Sequence, residues 1–117
     1  MKMLLAEVPD ANRKALRTTL SVETTFDLVG EASTALETLD LIAVLRPQVV
    51  LMAPNLPDMS GAEATTEILR RFPGTQVIAL ESEGSEIFAV KEMISAGACG
   101  SLSLNLRPLA LSLVMGS

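Results

Sequence analysis

The sequence predicts an α/β domain, a doubly wound parallel sheet with helices on both faces. Three observations carry that expectation. Short apolar runs alternate with longer helical patterns along the whole chain. Two of the runs, Val49-Val50-Leu51-Met52-Ala53 and Val77-Ile78-Ala79-Leu80, are continuous rather than alternating, as strands buried on both faces are. The length, 117 residues with 49% hydrophobic side chains, suits one domain that buries roughly two thirds of its unfolded surface without disulfide staples.

The elements follow in order. Met3-Leu4-Leu5-Ala6 is the first strand, and Asp10 can cap a helix over 11–21. Phe26-Asp27-Leu28-Val29-Gly30 is the second strand, and Ser33 can cap a helix over 34–46 that Pro47 stops. After the third strand at Val49, Ser60-Gly61-Ala62-Glu63 forms a capping box, in which the hydroxyl takes a backbone N–H and the carboxylate reaches back. That helix runs to Phe72, where Pro73-Gly74 ends it. The fourth strand leads to a helix over 84–96 with Gly97 at its C-terminal cap. Cys99-Gly100-Ser101-Leu102-Ser103 is a weaker fifth strand. Asn105 can cap a last helix, with Pro108 tolerated in its first turn. Five strands and five helices in strict alternation imply parallel pairing through right-handed crossovers. Residues 1–117 read as a single domain with no linker, repeat or low-complexity stretch.

Composition excludes several classes of function. There is no histidine, which removes the commonest general base and any His-based triad or metal site. Aromatic residues are 3%, all Phe, too few for base stacking, and 14 acids against 9 bases disfavour phosphate-backbone contact. No nucleic acid is therefore expected at this domain. Glu7, Pro9 and Asp10 interrupt the opening apolar run too early for a signal peptide, and no apolar window reaches bilayer length. With a single cysteine as well, the expected compartment is the cytoplasm, with no membrane contact. In a sheet of this kind ligands gather beyond the carboxyl ends of the strands. The residues to inspect are therefore Glu7-Val8, Ala53, Glu81-Ser82 and Ser103-Leu104-Asn105.

These residues bring a family into view. Leu4-Leu5-Ala6-Glu7, Val29-Gly30-Glu31-Ala32-Ser33 and Arg46-Pro47-Gln48-Val49-Val50-Leu51-Met52 follow in order. Next comes the most specific stretch, Pro54-Asn55-Leu56-Pro57-Asp58-Met59-Ser60-Gly61-Ala62-Glu63-Ala64-Thr65. Phe72 through Leu80 and Ser95-Ala96-Gly97-Ala98-Cys99-Gly100 complete the series. The chain resembles the receiver domain of bacterial response regulators, most of all receivers that precede a helix-turn-helix output domain. The resemblance implies a flavodoxin-like (β/α)5 three-layer sandwich with strand order 2-1-3-4-5, and a pocket of five groups. Two acids after the first strand and an aspartate after the third hold Mg²⁺, and that aspartate accepts the phosphoryl group. A hydroxyl follows the fourth strand and a lysine the fifth. A cation and a lysine are needed because phosphoryl transfer to a carboxylate sets anion against anion.

Carried over by position, that pocket is degenerate. The first acid is Glu7, and the second falls on Val8. The acceptor falls on Ala53, the hydroxyl on Glu81 and the lysine on Leu104, while Ser101 stands where an aromatic switch residue is usual. Ala53 has no nucleophile, and Glu7 alone is a poor Mg²⁺ site. No metal, cofactor or catalytic residue is expected. Asp58 reads either as a displaced acceptor or as an ordinary turn aspartate. Glu7 and Glu81 read as a cation or acid–base pair, or as remnants of the rim. Cys99 reads as a buried structural thiol or a redox sensor. Arg13, Lys14 and Arg17 read as a docking patch or a solvated basic face. Leu106, Leu109 and Leu113 belong to a last helix dense in apolar residues, read as a homodimer seam or as the cut face of a domain boundary. The leading expectation is a phosphorylation-independent regulatory module acting by contact with a protein partner or a second copy. It would come from a transcription regulator whose DNA-binding domain lies outside these residues. The alternative is a ligand sensor in which Val8, Ala53 and Leu104 wall a small-molecule site and Glu7 and Glu81 supply its polar groups.

Overall fold

The computed structural model describes residues 1–7, 13, 14, 16–18, 26–81, 87–104 and 111–115, with backbone alone at 103, 104 and 111–115. Five strands run parallel: β1 (Lys2–Ala6), β2 (Asp27–Ala32), β3 (Val49–Met52), β4 (Gln76–Glu81) and β5 (Gly100–Leu104). Their order is β2-β1-β3-β4-β5, as expected. A sixth strand, β6 (Leu111–Met115), pairs antiparallel with β5 from Leu104↔Leu111 to Gly100↔Met115.

This strand corrects the last element of the sequence reading. The apolar density after Asn105 suggested a helix holding Leu106, Leu109 and Leu113 in one seam. Leu113 instead lies mid-strand in β6, and Leu106 and Leu109 lie outside the described residues. The physical reason is that Leu-Ser-Leu-Val-Met is a short, uncharged run that fits a strand as readily as a helix. β5 offers it a free edge of backbone donors and acceptors.

Side chains of period two divide the sheet between two cores. Leu4, Ala6, Val50, Met52, Val77 and Ala79 face three helices: α1 (Ala35–Leu45), α2 (Gly61–Arg71) and α3 (Ile87–Ser95). Met3, Leu5, Val49, Leu51, Ile78, Leu80 and Leu102 face the other way, onto Leu16. Residues 13, 14 and 16–18 are helical, within the expected span of 11–21. Two layers of helical residues around one sheet are what continuous apolar strands require.

The helix ends show local causes. The N-cap of α1 is Thr34, not Ser33: its hydroxyl accepts from the Glu37 N–H at 3.1 Å, and Ser33 N–H donates to Glu37 Oε1 at 2.7 Å. Ser60 caps α2 as expected, accepting from Glu63 N–H at 3.1 Å and donating to Glu63 Oε1 at 3.4 Å. Arg46, in the left-handed region at φ 49°, closes α1 before Pro47, and its guanidinium lies 5.4 Å from the Phe72 ring centre at the end of α2. Gly97, at φ 118°, ends α3. The Ala98 N–H returns to the Met93 carbonyl at 3.0 Å, and a side chain at 97 would run into Leu69.

Candidate functional site

The parallel register brings the ends of β1, β2 and β3 to one rim. Ala6 pairs with Ala32 on one side and Met52 on the other. The next residues continue the ladder: Glu7 N–H donates to Ala32 O at 3.0 Å and Ala53 N–H to Ala6 O at 2.9 Å. Glu7 and Ala53 are therefore neighbours at the rim, and both are buried, 6% and 3% exposed. Glu81 ends β4 and pairs with Ser103, and Leu104 follows it on β5. Ser101 pairs with Ala79 inside the sheet and is partly exposed. Val8 lies outside the described residues, and of Leu104 only the backbone is described. The donor set does not fit Mg²⁺. Ala53 brings no side-chain oxygen to the rim, and the described residues hold no group of three or more His, Cys, Asp or Glu able to take a metal ion.

The rim is closed instead by an arginine that sequence reasoning placed on the surface. Arg13 is 12% exposed. Its Nη2 donates to the Glu7 carbonyl, to Ala32 O at 2.6 Å and to Ser33 Oγ at 3.1 Å. Its Nε lies 3.6 Å from Glu31 Oε1. Arg13 is thus turned inward, its Nη2 engaged with the ends of β1 and β2. Arg17, one turn on, is exposed and meets Glu31 through two bonds of 2.9 and 2.7 Å, which hold the guanidinium above its usual pKa. Lys14 is exposed.

Past Ala53 the chain makes a tight loop. Asn55 and Ser60 form an antiparallel bridge, and Leu56 N–H donates to Met59 O at 3.2 Å. Gly61 then passes so close that a Cβ there would lie 2.8 Å from Ala53 O, 2.9 Å from Pro54 Cα and 2.7 Å from Met93 Sδ. At the loop's tip Asp58 caps a neighbouring helix, which is more than a plain turn aspartate does. Its carboxylate accepts from Ala35 N–H at 2.8 Å and Leu36 N–H at 3.0 Å, in the first turn of α1. The bond from Ala35 above all, and that from Leu36, hold its pKa below the usual carboxylate value. With Thr34 on Glu37, three orphan donors of that helix end are satisfied.

Cys99 is partly exposed rather than fully buried. Burial nevertheless raises its pKa, keeping it a thiol packed on the Leu16 core. A groove of about 530 Å³ opens between α1 and α2, lined by Leu36, Leu39, Met59, Glu67 and Arg70 among others. None of its lining residues belongs to the degenerate pocket. No described helix is long and apolar enough to cross a membrane.

Comparison with known proteins agrees with this geometry. A family profile described as the response regulator receiver domain matches residues 3–112. A transcriptional regulatory protein of Bacillus subtilis strain 168, YhcZ, is 37% identical over 82 residues, covering 70% of this chain and 38% of that protein. The DNA-binding transcriptional activator DevR/DosR of Mycobacterium tuberculosis is 29% identical over 112 residues, covering 96% of this chain and 51% of that protein. The chain therefore spans about half or less of these relatives. Among solved structures, the response regulator domain of Thermotoga maritima CheB superposes with a TM-score of 0.75 at 25% identity, covering 94% of this chain and 82% of that one.

Proposed function

Because the chain belongs to the response regulator receiver family, we propose that it is a receiver without a phosphoryl acceptor, a regulatory module that signals by protein contact alone. One observation carries the reading. The family's acceptor position, at the end of β3, is occupied by the buried methyl of Ala53. A methyl group cannot form an acyl phosphate. Supporting features surround it. Val8 and Ala53 bring no side-chain oxygen to join Glu7 in holding a divalent cation, and Arg13 ties the β1 and β2 ends to each other.

A domain with no phosphorylation switch works by the surface it presents. The described surface has three exposed large apolar side chains on one helix, Ile87, Phe88 and Ile94 of α3, with Phe88 70% exposed. Lys14 adds an exposed cation on the far side of the sheet. The relatives are named as transcription regulators, and the chain matches only part of each. We place it accordingly as the contact module of such a regulator. Incubation with acetyl phosphate and Mg²⁺ followed by intact-mass measurement tests the proposal. The expected result is an unchanged mass. A gain of one phosphoryl group, on Asp58 or elsewhere, overturns it.

A further inference from the structure

We propose that β6 is a self-pairing edge, through which two copies of the chain join antiparallel about a two-fold axis and run their sheets together. The two edges of the sheet differ in a way that points there. β2 is one edge, and it is guarded: it carries Asp27 and Glu31, contains Gly30, and its register against β1 slips between Met3 and Leu4. Charges and irregular register are devices that keep an edge from recruiting strands. β6 is the other edge. It pairs with β5 on one side and with no described strand on the other. Its five residues, Leu-Ser-Leu-Val-Met, include no charge, proline or glycine.

Backbone donors and acceptors along such an edge call for another extended strand. Charge selects which one. Antiparallel pairing of two β2 strands about an axis at Val29 would set Asp27 of each copy opposite Glu31 of the other. Pairing β6 with β6 opposes no charges. Symmetry supplies the register: an axis through Leu113 sets Leu111 opposite Met115 and Ser112 opposite Val114. The contact is isologous and closes at two copies, because β2, at the other end of each joined sheet, is guarded. A seam of five residues is small, so the dimer belongs to the weak, concentration-dependent class. The inference deepens the contact-module reading by naming a second copy as partner and β6 as the surface.

The test uses the chain as it is. Amide hydrogen exchange across rising protein concentration is expected to slow at residues 111–115 and nowhere else, while sedimentation velocity shows monomer passing to dimer. Leu113→Lys, which opposes two cations at the axis, is expected to abolish the dimer, and Phe88→Glu on α3 to leave it intact. A chain that stays monomeric at the highest concentration overturns the proposal. So does protection gained outside 111–115, or a dimer lost in Phe88→Glu and kept in Leu113→Lys. Should Leu113→Lys fail to fold, the exchange measurement on the unmodified chain decides alone. None of these outcomes touches the phosphoryl test, which is read by mass.

Discussion

At the end of β1 the rim is held by charge, whereas at the end of β3, one strand away, it is held by contact. On the first side a part-buried guanidinium gathers the Glu7 and Ala32 carbonyls and pairs with Glu31, which Arg17 grips from outside. On the second side Ala53, Gly61 and Met93 meet backbone to side chain with no space for one more carbon. A receiver pocket needs both sides to accommodate a cation and a phosphoryl group. Here the two sides are held in different ways, and that difference predicts how each can be broken.

The largest effect belongs to the contact side. Gly61→Ala puts a Cβ against Ala53 O and Pro54 Cα, backbone atoms that yield only if the loop shifts, so it is expected to cost about 3 kcal/mol or more. Denaturant unfolding measures it, and the loss should be the same at low and high salt. A variant as stable as the parent would show that the loop is looser than these distances require. Next comes the charged side. Arg13→Met removes charge-assisted bonds to two carbonyls and a hydroxyl while keeping much of the stem's packing. The expected cost is roughly 2–3 kcal/mol. It is not larger because Ala32 O keeps the Glu7 N–H. An unchanged midpoint would remove charge from the account of this side.

How far all this was legible in the sequence follows the range of the interactions. Ser60 and Gly97 act within a turn of their own helices, and their positions beside apolar runs were enough to read them. Thr34-Ala35-Leu36-Glu37 carries the same box signature as Ser60 through Glu63, so the true cap of α1 was readable in the pattern although Ser33 was preferred. Arg13 and Asp58 were not readable. Their partners stand 19 and 23 residues away, and nothing local distinguishes a clamp from a solvated arginine or a cross-helix cap from a turn aspartate. Glu7 and Ala53 were plain from the family's spacing, whereas the backbone bonds that tie them to Ala32 and Ala6 emerged only from register. β6 was misread because a five-residue apolar run has no period to separate strand from helix, and the free edge of β5 exists only once the sheet is built.

A smaller effect links the two sides through pH. Asp58 ties the contact loop to α1, and its carboxyl lies below the usual value because Ala35 and Leu36 donate to the charged form. A group depressed on folding adds stability that is complete above its unfolded pKa of about 3.9 and fades as pH falls through the folded value. Asp58→Asn is therefore expected to lower the melting temperature at neutral pH, with the gap closing in acid. A gap constant across pH would mean that the carboxylate's charge does not matter.

The smallest effect is expected at Arg17. It grips Glu31 with good geometry, but its side chain is half in water, where a pair loses in rotamer entropy and screening most of what it gains. Arg17→Ala should move the melting temperature slightly at low salt and not at all in molar salt, where the screening length falls to about 3 Å. Glu31→Gln should do more, because it also strips the counter-charge from Arg13, which is 12% exposed and less able to recruit water in its place. If the two variants behave alike at every salt concentration, Glu31 serves only the surface, and the charged side of the rim rests on the carbonyl bonds of Arg13. If Glu31→Gln keeps its deficit in molar salt while Arg17→Ala recovers, the inner pair holds the rim and the outer pair merely orients its carboxylate.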